Sequence, residues 1–151
     1  MPGIQVSTVI DVPPVQVWNA VADISTHVRW MADAESITFT SPRTSGVGTT
    51  FDCATRVGPI SLVDSMAITR WDEPCAMGVT HVGVVTGTGE FTLRSSGPGG
   101  RRTEFAWAER LRFPWWLGGP VGALMAKPVL QRIWRGNLNR LRQLVESESR
   151  R

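Results

Sequence analysis

The chain has 151 residues, 42% of them apolar and 19% charged, with a net charge of +3. This length fits one domain, 1–151, and the composition excludes a disordered chain. Residues 127–151 carry seven basic and two acidic side chains against nine and eleven in the remainder, so the basic body usual in nucleic-acid binders is missing.

Ile4 to Ile10 alternates, with Ile4, Val6, Thr8 and Ile10 on one face, which predicts a strand. Pro13 or Pro14 suits the first turn of a helix, where a missing N–H costs nothing, and Val17, Trp18, Val21 and Ala22 follow at helical spacing. Asp23 or Ser25 is a candidate cap for a second short helix running to Trp30. From Ser36 to Arg112 the period drops to two. Five or six strands fit there, divided by turn signals at Val57–Ile60, Asp72–Pro74, Gly83–Thr86 and Ser95–Gly100, and such short connections predict antiparallel hairpins. After Pro114 the helical period returns. Leu130, Ile133, Trp134, Leu138, Leu141 and Val145 form an apolar stripe, with Arg132, Arg135, Arg142 and Glu146 opposite, and Pro128 kinks this helix or starts its regular part. A sheet with one apolar face and a long helix with an apolar stripe predict a sheet that wraps the helix.

This order resembles the helix-grip fold of the START/Bet v1-like superfamily, in its polyketide cyclase/dehydrase branch. The resemblance spans nearly the whole chain. It is carried by Pro13–Trp18, Asp23–Trp30, Ile68-Thr69-Arg70-Trp71-Asp72-Glu73-Pro74, Gly99–Trp107 and Asn137-Leu138-Asn139-Arg140. It implies an α+β fold: two short helices after strand 1 and a curved seven-stranded antiparallel sheet, order 2-3-4-5-6-7-1, around a long C-terminal helix. It also implies a cavity for flat or elongated hydrophobic molecules, and an arginine at the Arg70 position lining that cavity in aromatase/cyclase members.

Alternation gives the inward set. Leu62, Met66 and Ile68 take Asp64 and Arg70 inward, the Gly58–Pro59 turn adds Phe51, Cys53 and Thr55, and Met77 and Val79 take His81. Phe91 and Leu93 take Gly87 and Gly89, while Phe105, Trp107 and Leu111 take Glu109. Registers inferred from the turns set His81 opposite Gly89, Gly89 opposite Trp107, and Glu109 opposite Gly87. His81 and Glu109 would then stand roughly 10 Å apart across an open gap over the glycines.

Three residues are candidates for chemistry. Glu109 is a carboxylate in an apolar cavity, which must be paired or protonated. His81 has an imidazole suited to proton transfer or to a place in the wall, with Asp64 placed to orient it. Arg70 is either an oxyanion-stabilising group or a rim salt bridge to Asp72 or Glu73. Cys53 reads as a small buried hydrophobe, since nothing nearby lowers its pKa. Asn137 interrupts the apolar stripe and must contact a ligand or bond to the wall. Trp30, Met66, Ile68, Val79, Phe91 and Trp107 supply apolar wall, with Cys53, Asp64, Gly87, Gly89 and Asn137 beside them as ligand-binding candidates.

Two cysteines and two histidines are too few for a disulfide framework or an obvious metal cluster, so neither metal nor cofactor is expected. The N-terminus lacks the features of a signal peptide, and the most apolar stretch, Phe113–Ala126, falls short of the ~20 residues of a span. A cytoplasmic protein is expected, as monomer or homodimer, with a hydrophobic small molecule as partner and no nucleic acid. Phe113–Pro120 should form the cavity entrance, as a lid, a dimer contact, a peripheral membrane contact or a plain packed turn. The chain has no Tyr, and Asp64, Met66 and Ile68 replace the more aromatic and hydroxylic wall of aromatase/cyclase members. Three functions stay open: a cyclase or dehydratase, a carrier of hydrophobic ligands, and a protein-interaction module.

Overall fold

The structure, a computed structural model, describes residues 3–150. Strand β1 (Ile4–Ile10) leads into helix α1 (Pro14–Ala22), a 3₁₀ segment (Ile24–Arg29), and strands β2 (Ala34–Phe39), β3 (Thr50–Val57), β4 (Ile60–Asp72), β5 (Ala76–Val82), β6 (Thr86–Ser96) and β7 (Arg102–Arg112). A 3₁₀ turn (Trp115–Leu117) then opens onto helix α2 (Gly119–Ser149). The seven strands form one antiparallel sheet in the order β1-β7-β6-β5-β4-β3-β2, so the predicted topology and helix-grip architecture are those observed.

Pro14 occupies the first turn of α1, where no backbone donor is lost. Neither Asp23 nor Ser25 caps the 3₁₀ segment, because the Asp23 carboxylate is taken by the Ser25 hydroxyl. Helix α2 is continuous on both sides of Pro128, which lies at an exposed position inside it. Leu130, Trp134, Leu138, Leu141 and Val145 are buried along its inner face, and Trp18 meets Trp71 edge-on at 5.3 Å beside α1. Each such side chain, fully buried, contributes about 1.5–3 kcal/mol of hydrophobic stabilisation.

Two local features decide which side chains face inward. The β4–β5 register shifts between Ile68 and Arg70, so Ile68 pairs Val79 while Arg70 pairs Gly78. This bulge reverses the alternation beyond it and turns Arg70 to the outer face. The second feature is hairpin register. The β5–β6 and β6–β7 connections turn about Val84 and Gly99, each one residue from the centre that the expected pairings assume. His81 therefore faces Gly87, and Gly89 lies between Val79 and Glu109. A two-residue slip keeps each side chain on its face but changes its neighbour.

Candidate functional site

Between the concave face of the sheet and α2 lies a cavity of about 310 Å³. Its wall is mostly apolar. Met66, Ile68, Val79, Phe91 and Trp107 line it, with Cys53 and Gly89 on the sheet floor. Trp107 stacks on Trp134 of α2 at 4.6 Å and 19°, and Phe91 stands edge-on to Trp107 at 5.4 Å. Two flat rings thus close one side of the cavity with little conformational freedom.

Asp64, His81 and Glu109 form a chain across the polar part of the wall. His81 Nδ1 lies 3.0 Å from both oxygens of Asp64, and Nε2 lies 2.7 Å from Glu109 Oε1. The open gap expected between His81 and Glu109 is not there. Glu109 reaches from β7 across β6 to His81 on β5, passing over Gly89. A Cβ on Gly89 would stand 2.5 Å from Glu109 Oε1 and 3.0 Å from Cγ, so this glycine provides the space for the bridge.

A neutral imidazole carries one N–H and one bare nitrogen. With both carboxylates ionised, the bare nitrogen would face an oxygen lone pair. One further proton is therefore held in the chain, on His81 or on the His81–Glu109 hydrogen bond. Burial opposes the charge on His81, but bonds to Asp64 and Glu109 outweigh it and push its pKa up to about 10. Burial raises the Glu109 carboxyl above its ordinary value, partly offset by His81. The result is a protonated, hydrogen-bonded centre in an apolar wall, where a proton can be given or taken.

Other sequence-predicted positions lie elsewhere. Arg70 is on the outer face, bonded to Asp72 at 2.6 Å and Glu90 at 2.8 Å, so its charge serves a surface cluster and does not line the cavity. Gly87 is absent from the wall: at φ +133° its open side abuts the Arg110 carbonyl, a close backbone approach that no side chain could share. Trp30 is buried in the core beside His27, Phe91 and Trp107, not on the cavity surface, and its Nε1 has no partner among the described residues. Asn137 is fully buried and bonds to the wall. Its Nδ2 donates to Asp33 Oδ1 at 2.8 Å, and its Oδ1 accepts from the Ala32 amide at 2.9 Å and from Arg140. Trp134 Nε1 adds a bond to Asp33 Oδ2 at 3.2 Å. These contacts latch the Trp30–Asp33 loop onto α2 and fix that side of the cavity.

Phe113 and Leu117, in the segment expected at the entrance, line the cavity, whereas sequence patterning missed His27, Asp33 and Trp134 as lining residues. Only Trp134 carried a signal, through its place in the helical stripe; the others sit in 3₁₀ or loop segments with no period. His27 Nε2 donates to the Val21 carbonyl at 2.7 Å, and burial lowers its pKa to about 4, so this imidazole is neutral. Among the described residues, no group of three His, Cys, Asp or Glu side chains is arranged to hold a metal ion.

Burial pushes the Cys53 thiol up to about 11. A thiol of that kind is a poor nucleophile at neutral pH. Exposed Cys75 should accordingly be alkylated by iodoacetamide in the native protein while Cys53 reacts only on unfolding; mass mapping of the modified peptides checks this, and equal labelling of both would contradict it.

A family model described as polyketide cyclase/dehydrase and lipid transport matches residues 1–146. No curated protein sequence matches the chain. Among solved structures, a protein of Thermus thermophilus is 15% identical, with 98% of this chain and 99% of that chain covered and a TM-score of 0.80. The Zhui aromatase/cyclase of Streptomyces sp. R1128 is 16% identical, with 96% and 93% covered and a TM-score of 0.72. XoxI of Bacillus cereus is 16% identical, with 96% of each chain covered and a TM-score of 0.74. At these identities the likeness establishes the shared fold.

Proposed function

This chain belongs to the polyketide cyclase/dehydrase and lipid transport family, and on that premise we propose that it binds a hydrophobic small molecule in the cavity between the sheet and α2. The observation that carries this reading is the apolar, aromatic-walled cavity of about 310 Å³ with one polar centre. Apolar area supplies affinity, and a few placed polar groups fix orientation. Glu109 bonds His81 through Oε1, so its other oxygen is the group for a ligand hydroxyl to meet. Wild-type protein should enhance the fluorescence of anilinonaphthalene sulfonate and show a co-purified mass in native mass spectrometry. Val79→Trp fills the floor and should abolish the enhancement while melting stays cooperative. A wild type that carries no ligand and enhances no fluorescence would overturn the proposal.

The shared proton between His81 and Glu109 favours a second reading, acid–base catalysis of the dehydratase or cyclase kind. In a dehydration, Glu109 takes the proton next to the ketone of a β-hydroxy ketone. The carbon–hydroxyl bond then breaks, and the same proton leaves with the hydroxide as water. Glu109→Gln would stop such turnover and leave fluorophore binding in place. A carrier would show no turnover in either form.

A further inference from the structure

Exposed apolar side chains concentrate at one end of the molecule. Trp115 is 87% exposed, and Trp116, Val121, Leu124, Met125 and Val129 follow it on the 3₁₀ turn and the first turns of α2. Ile60 and Val84, in the β3–β4 and β5–β6 hairpins, are exposed at the same end of the antiparallel sheet. Interleaved with these residues, Phe113, Leu117, Gly122 and Ala126 line the cavity. The exposed patch therefore surrounds the cavity mouth.

Charge says what covers it. From Phe113 to Val145 the sequence has no Asp or Glu, and its charged side chains are Lys127, Arg132, Arg135, Arg140 and Arg142. On the outward face of α2, Val121, Leu124, Met125 and Val129 give way to Arg132 and Arg135 at the same helical spacing. Met125 and Arg132 are separated by about 10 Å along the axis. An apolar tip followed by cations at that distance matches the depth of a bilayer interface, where apolar groups enter about 5–10 Å and cations meet lipid phosphates. Two adjacent Trp side chains at the rim suit the same layer. No helix among the described residues is long and apolar enough to cross a membrane, so the contact is peripheral.

We propose that this end docks on the surface of an anionic lipid bilayer, with Trp115, Trp116, Leu124 and Met125 in the interface and Arg132 and Arg135 against lipid phosphates. The mouth then opens toward the membrane, and an apolar molecule can pass between bilayer and cavity without crossing water. The docking surface stands whether or not the cavity ligand is the one proposed above.

Flotation with equimolar phosphatidylglycerol–phosphatidylcholine vesicles tests the proposal, with pure phosphatidylcholine vesicles as the neutral comparison. Wild-type protein should float with the anionic vesicles at low salt and dissociate as salt screens the contact. Trp115→Ser with Trp116→Ser should weaken binding about tenfold or more. Arg132→Glu with Arg135→Glu should do the same and remove the salt dependence. All four residues are exposed, so the variants should melt like wild type. Three results would each overturn the proposal: no flotation of wild type, flotation of both double variants equal to that of wild type, or a wild-type dimer in light scattering that the paired Trp substitutions dissolve.

Discussion

His81→Ala should lose about 3–5 kcal/mol of stability at neutral pH, because removing one member of a buried charged chain leaves the others uncompensated. Asp64 and Glu109 would then face each other without the imidazolium between them. The pH dependence carries the sharper information. His81 rises from 6.5 to about 10 on folding. Its contribution is complete below pH 6.5, where both states are protonated, and is lost as pH rises through about 10. Glu109 is also raised, above 4.5, and acts in the same direction. His27 is lowered from 6.5 to about 4, so its contribution is complete above 6.5 and is lost as pH falls through about 4. Between pH 4.5 and 6.5 the His27 and Glu109 contributions run in opposite directions, so wild-type stability should be highest within that window and decline above it. In His81→Ala the alkaline decline due to the imidazole disappears. The unpartnered Glu109 instead costs more and more from about pH 4.5 upward, and the gap to wild type narrows in acid. Urea midpoints measured from pH 4 to 10 check this. A wild-type curve that stays flat from pH 6.5 to 10 would mean that His81 carries no charge in the folded protein.

Gly89→Ala is the second large effect, about 2–3 kcal/mol at neutral pH. An alanine in a strand would ordinarily be mildly favourable. Here its methyl meets Glu109 Oε1, Cγ and Cδ at 2.5–3.1 Å, and Glu109 can retreat only by leaving His81. The cost combines overpacking with the loss of a charge-assisted hydrogen bond. Without Glu109, the His81 pKa should fall from about 10 toward 6.5, and the alkaline decline should become smaller and end at lower pH. In a Glu109→Ala background the added methyl has room, so the two losses should be strongly non-additive. Simple additivity in urea unfolding would refute the bridge over Gly89.

Periodicity alone carried much of the fold. The alternation in 36–112 and the helical stripe through Leu130–Val145 each follow from burial of one face, which is a local pattern. The same reasoning identified Asp64, His81 and Glu109 as inward and Asp64 as a partner for the imidazole. It failed where a single residue changes phase. The bulge after Ile68 carries Arg70 to the surface, and no residue type in that segment marks it. The Asn137 amide was legible as a break in the stripe, but its choice between ligand and wall depended on Asp33 and Ala32, about a hundred residues away.

By itself the sequence determined the element order, the inward faces of the strands (in β4 up to the bulge after Ile68), and Asp64, His81 and Glu109 as ionisable groups of a cavity with no tyrosine. Net charge and its concentration on the last helix were also plain there. Tertiary structure decided what those groups do. Turn centres displaced by one residue shift strand pairings by two, which sets Glu109 in place of His81 beside Gly89, and Glu109 reaches over that glycine to within 2.7 Å of His81. A shift of two preserves every face, so hydrophobic patterning cannot detect it. Only hairpin geometry and the space above a glycine make two separated residues into one proton-holding centre.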